Sequence, residues 1–92
     1  MKRIDVPAVD HIGVRVRDLE RAMKFYTMLG FKLEFNAAND AVAVVRNAHG
    51  VELNLVYNAN AADGGKNILM DVGEKYAGYT HVALRVSSIK SA

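Results

Sequence analysis

Hydrophobic and polar residues alternate over residues 9–16, with Ile12, Val14 and Val16 on one face and His11, Gly13 and Arg15 on the other. A period of two predicts a strand with an apolar underside and a polar top. From Leu19 the period lengthens. Leu19, Ala22, Met23, Tyr26 and Leu29 recur at helical spacing with Phe25 alongside, while Glu20, Arg21, Lys24 and Thr27 face out. Asp18 stands where a carboxylate caps a first turn, and Gly30 where a helix needs a left-handed stop. Alternation then returns. Phe31, Leu33 and Phe35 against Lys32 and Glu34 predict a second strand, "NAAND" a turn, "AVAVVR" a third strand and "NAHG" a turn through Gly50. "VELNLVY" is the fourth strand, with Val51, Leu53 and Leu55 opposite Glu52, Asn54 and Val56. The order is β-α-β-β-β, an α+β module.

The remainder is less regular. "NANAADGGKN" reads as a loop, and its paired glycines, Gly64 and Gly65, make no phosphate-binding motif. "ILMDV" suits a short strand or a helical turn, and Tyr76 and Tyr79 read as packing residues of an inter-module loop. Residues 80–86 alternate again and predict a last strand, after which Ser87 or Ser88 is placed to cap a helix.

That ending repeats the beginning. "VDHIGVRVRDLERA" from Val9 and "YTHVALRVSSIKSA" from Tyr79 keep register at a constant offset, 81 − 11 = 70. His11 meets His81, Arg15 meets Arg85, Val16 meets Val86 and Ala22 meets Ala92, while the apolar positions and the caps keep their character. Matching pleat, cap and polar-face residues each constrain a different physical role, so together they mark a repeated unit. The expected organisation is a first βαβββ module with its inter-module loop over 1–78, and the start of a second, truncated module over 79–92. The repeat further implies a chain that continues past Ala92, or modules from several chains that assemble. The first is preferred, and these 92 residues alone are expected to have little or no activity.

Bulk properties narrow the class only a little. A formal charge of +2, with Lys and Arg scattered, argues against nucleic acid as a partner. Absence of Cys excludes disulfides and thiolate chemistry and fits a reducing cytoplasm. No apolar run approaches a membrane span, and no apolar region follows the two basic residues at the start as in a signal peptide.

"DHIGVRVRDLERAMKFYTMLGF", "HGVELNL" and "THVALRV" together resemble the vicinal-oxygen-chelate superfamily of glyoxalase I, bleomycin-resistance proteins, extradiol dioxygenases and fosfomycin-resistance proteins. The resemblance implies paired βαβββ modules whose sheets curl around a cleft holding a divalent metal, Zn, Ni, Co, Mn or Fe. Its ligands come from the first and last strands of each module, which carries over to His11, Glu52 and His81; a fourth, in the last strand of the second module, has no counterpart here. Two imidazoles and a carboxylate suit a borderline divalent ion. The glyoxalase I pattern can also be slid so that Asn54 takes the place of Glu52. The carboxylate is preferred because it neutralises charge. Arg15, Arg85 and Asn58 are the implied substrate-binding residues, with His49 left as a turn residue.

The implied activity is a metal-dependent, glyoxalase I-like lyase or isomerase acting on a thiol hemithioacetal of a 2-oxoaldehyde. It runs through a metal-stabilised enediolate, with Glu52 as the proton-transferring carboxylate and glutathione or another thiol as co-substrate. Two alternatives stand beside it. One is an extradiol dioxygenase or a thiol transferase of the fosfomycin-resistance kind, and the other a non-catalytic, bleomycin-resistance-like protein that sequesters a ligand. A homodimer is expected in each case.

Overall fold

The computed structural model describes residues 2–60, 62, 64, 66, 71–79 and 81–87. The chain divides into two compact units, Met1–Ala59 and Asn60–Ala92. In the first, the elements run β1 (Ile12–Arg15), α1 (Leu19–Met28), β2 (Lys32–Ala37), a single 3₁₀ turn (Ala38–Asp40), β3 (Val42–Arg46) and β4 (Glu52–Val56). This is the βαβββ order that the periodicity predicts.

Both ends of α1 form by the expected chemistry. Asp18 Oδ1 accepts from the Arg21 amide at 3.2 Å, satisfying one of the free donors of the first turn. At the other end Gly30 adopts φ +90°. Its amide donates to Thr27 O, and the Phe31 amide reaches back to Tyr26 O, each at 3.0 Å. That pair of bonds is a Schellman stop. The Tyr26 and Phe31 rings meet edge-on at 5.9 Å across it, supplying its usual apolar contact.

The sheet order is β1-β4-β3-β2. β1 runs parallel to β4, whereas β3 is antiparallel to both β4 and β2. Phe31, Ala43, Val45, Leu53 and Leu55 form the buried core, and Leu19, Ala22, Met23, Tyr26 and Leu29 of α1 pack against it. One sheet face is thereby covered by the helix. The alternate residues, among them Gly13, Val44, Arg46, Glu52, Asn54 and Val56, belong to the opposite face.

β2 departs from its sequence pattern. Alternation puts Phe31, Leu33 and Phe35 on one face, yet the β2–β3 register shifts between Leu33 and Phe35. A bulge there sets Glu34 and Phe35 both on the open face, with Phe35 opposite Val44 and 62% exposed. Only Phe31 of the three is buried. The "NAAND" turn closes on Ala41 in the left-handed region, φ 54°.

In the second unit the expected strand over 80–86 does not form among the described residues: 81–86 take part in no strand pairing. The physical reason is the missing ladder. β1 exists because β4 offers it a parallel edge, and among the described residues 81–86 have no such partner. Ser87 lies in a bend, and the helix expected after it lies outside the described residues. Ser88, and Ile68, Leu69 and Met70 of the "ILMDV" stretch, lie outside the described residues.

Candidate functional site

The open face of the first unit gathers the polar chemistry. Parallel pairing sets Ile12 beside Leu53 and Gly13 beside Asn54. One step earlier in each strand, His11 stands level with Glu52. The imidazole Nδ1 lies 4.0 Å from Glu52 Oε2 and 2.6 Å from Asp10 Oδ2. One donor atom from each of Asp10, His11 and Glu52 can be chosen so that all three lie within 4.8 Å of one another.

Glu52 is the sheltered member, its side chain 15% exposed against 91% for Asp10. A sheltered carboxylate needs a counter-charge. Arg46, its antiparallel neighbour on β3, donates from Nη2 to Glu52 Oε1 at 2.5 Å and from Nε to Glu34 Oε2 at 2.6 Å. The Glu34 hydrogen bond, helped by the charges of Glu34 and Glu52, raises the Arg46 pKa above its ordinary value against the opposing effect of desolvation. A chain Glu34–Arg46–Glu52 therefore runs across three adjacent strands and ends beside His11. A shallow recess of about 330 Å³, walled in part by Lys32, Glu34 and Arg46, flanks its outer end.

Further along the same face, Arg15 Nε donates to Asn58 Oδ1 at 3.2 Å. Between these two groups lies Asn54, whose Oδ1 is buried without a hydrogen-bond partner. Such an orphaned acceptor costs roughly 1–3 kcal/mol. The neighbouring β1 residue is Gly13, and a side chain there would meet nothing within 4 Å, so the face is open beside the orphan.

Of the residues singled out from the sequence, the structure brings together His11 with Glu52, and Arg15 with Asn58. Asn54 shares the face two residues beyond Glu52, but it is Glu52 that stands level with the imidazole. His81 and Arg85 belong to the second unit. His49 sits in the β3–β4 turn, its amide held by Asn47 Oδ1 at 3.0 Å. Two participants escaped the sequence reading. Asp10 was missed because the 9–16 alternation gives it the phase of Ile12 and Val14, opposite His11, whereas β1 begins only at Ile12. Arg46 was legible in principle: a hairpin closing through "NAHG" sets Arg46 opposite Glu52.

A sequence model of the Glyoxalase/Bleomycin resistance protein/Dioxygenase superfamily matches residues 8–92. The chain belongs to that superfamily. Comparisons with curated proteins and with solved structures give no match. Among the described residues no helix is long and apolar enough to cross a membrane.

Proposed function

We propose that the protein is a metal-dependent lyase or isomerase of the glyoxalase I type, acting on a thiol hemithioacetal of a 2-oxoaldehyde. The observation that carries this reading is the placement of an imidazole and a sheltered carboxylate at one level of the open sheet face, 4.0 Å apart at Nδ1, with Asp10 bonded to the same ring nitrogen. Imidazole nitrogen and carboxylate oxygen are a donor set that fits a borderline divalent ion. When bound, that ion supplies Lewis acidity, holding adjacent substrate oxygens and offsetting the negative charge that grows as a carbon-bound proton leaves.

The chain's own residues do the rest. Asp10 accepts from Nδ1 of His11 and orients the ring; a cation between His11 and Glu52 would take Nδ1 in place of that proton, or Nε2 after the ring turns over. Glu52 has Oε1 engaged by Arg46, so Oε2 is the oxygen for the ion or for the proton that moves between neighbouring carbons. Arg15, steadied by Asn58, offers its remaining guanidinium donors to a carboxylate of the thiol co-substrate, for which glutathione is the proposed example. His81 is proposed as the second imidazole and Arg85 as a second carboxylate anchor. Two chains are the proposed assembly, and turnover is expected only where a second module closes the cleft.

Cation binding tests the reading directly. The purified protein is expected to bind Co²⁺ stoichiometrically in a calorimetric titration, and His11→Ala, His81→Ala and Glu52→Gln to bind at least about tenfold more weakly. Retention of the ion by Glu52→Gln would favour the dioxygenase or thiol-transferase arrangement. A wild-type protein that binds no divalent cation is instead the ligand-sequestering one.

A further inference from the structure

The Glu34–Arg46–Glu52 chain has more built into it than a proton transfer at Glu52 requires. One guanidinium is shared by two carboxylates from different strands, and only one of them, Glu52, faces His11. Glu34 sits at the β2 bulge, on the open face that alternation already gives it beside Lys32. The geometry therefore gives Arg46 two anchors. One is the exposed Glu34, half accessible, and the other the sheltered Glu52.

We propose that Arg46 is a resident counter-cation that competes with a divalent ion for Glu52, and that Glu34 sets the strength of that competition by holding the same guanidinium. The proposal rests on the reading of Glu52 as a cation ligand and deepens it. Before an ion arrives, Arg46 offsets the cost of keeping a carboxylate out of water. While Oε1 stays on Arg46, an incoming ion meets Glu52 through Oε2 alone, as a one-oxygen ligand. If the ion takes both oxygens, Arg46 moves fully onto Glu34 and no guanidinium is left unpaired. A planar fork can serve two carboxylates at once; a lysine ammonium is a point charge and holds them less well. Arg46 in this account is a positioning residue, since it reaches the cation only through Glu52.

The test measures Co²⁺ affinity by calorimetry and the visible cobalt spectrum in wild type, Arg46→Gln, Glu34→Gln, the double variant and Arg46→Lys. A purely supporting role for Arg46 makes every Arg46 variant bind more weakly. Competition makes Arg46→Gln bind about tenfold more tightly, the size expected of one unit charge a few ångströms away after discounting for solvent. The cobalt spectrum should shift as Glu52 becomes free to offer two oxygens. Glu34→Gln should bind several-fold more weakly, because Arg46 then leans wholly on Glu52. That loss should shrink in the Arg46→Gln background, as expected of residues acting through a shared partner. Arg46→Lys, which carries the test if Arg46→Gln does not fold, should bind more tightly than wild type but less tightly than Arg46→Gln. Equal or weaker binding by folded Arg46 variants, with wild type binding and Glu52→Gln not, overturns the proposal and leaves the metal site standing. No binding by wild type or by Arg46→Gln removes the site itself.

Discussion

Two stretches of this chain carry one pattern and reach different structures. "HIGVRV" supplies β1, whose apolar side chains Ile12, Val14 and Val16 pack against the core of the first unit. "HVALRV", seventy residues on, joins no strand ladder among the described residues, and its Val82, Leu84 and Val86 are 41–49% exposed. The residues are near-equivalents, so the difference does not lie in them. A strand is a relation between two backbones: β1 is held by β4 through a parallel ladder that continues to a bond from the Val16 amide to Val56 O at 2.8 Å. Without a ladder among the described residues, the same alternation leaves its apolar side chains exposed. Propensity proposes and the partner decides.

The largest expected effect follows from that contrast. Leu55→Ala empties a fully buried position in the core of the first unit and should lower unfolding free energy by about 2–5 kcal/mol. Val14→Ala, partly buried on β1, should cost less, about 1–2 kcal/mol. Its repeat partner, Leu84→Ala, should stay within about 0.5 kcal/mol, because a half-exposed side chain has little burial to lose. Urea midpoints at constant slope check all three. An effect at Leu84 as large as that at Val14 would mean the second stretch is packed in solution as β1 is, and the contrast would fail.

A smaller effect isolates backbone from packing within the first unit. Gly30 sits at φ +90° and an added Cβ would meet nothing within 4 Å, so Gly30→Ala is charged only for its left-handed backbone. The expected loss is about 1 kcal/mol. The helix should shorten by the turn that the Tyr26 and Thr27 carbonyls close, visible as faster amide exchange at Gly30 and Phe31. A neutral substitution would show that the Schellman stop does not hold α1 in place.

Much of the first unit was legible in its residues, for reasons that remain local. Asp18 and Gly30 act within one helical turn, and the periods of two and 3.6 need only their own segment. What escaped was non-local or broke a period silently. Leu33, Glu34 and Phe35 alternate without interruption in sequence, yet the bulge between them turns Phe35 outward, because the count of residues opposite β3 is fixed by pairing and not by pattern. At the site, His11 and Glu52 could be placed on polar faces, but their level alignment follows from the parallel β1–β4 register, which alternation cannot specify. Asp10 could not be grouped with His11, since alternation puts neighbours on opposite faces and only the start of β1 at Ile12 frees Asp10 from that phase. His81 and Arg85 were found through the repeat, and whether they join His11 stands on the proposed function and its cation-binding test.

The contrast between the units is sharpened by the least energetic change, at a local polar contact of the second. Contacts in the first unit span the fold, from Arg15 to Asn58 and from Tyr57 Oη to Asn36 Oδ1 at 2.9 Å. In the second, Lys75 Nζ donates to Val72 O, and Tyr76 Oη donates to Glu74 Oε2 at 2.5 Å. The Glu74 bond, with a lesser contribution from burial, raises the Tyr76 pKa above its ordinary 10.0. The unfolded chain lacks this bond. The stabilisation it brings to the Glu74–Tyr76 segment, as distinct from cooperative unfolding, is therefore complete below the ordinary tyrosine pKa and disappears as pH rises through the folded one. Phenolate absorbance should accordingly show one tyrosine titrating late, and Glu74→Gln should move it back toward the ordinary range while leaving the urea midpoint near neutral pH unchanged. Should Tyr76 titrate at its ordinary value in the wild-type protein, the second unit would lack even this local contact in solution. Should Glu74→Gln shift the midpoint as well, the contact would be tied into cooperative structure, and the second unit would resemble the first more closely than its missing ladder implies.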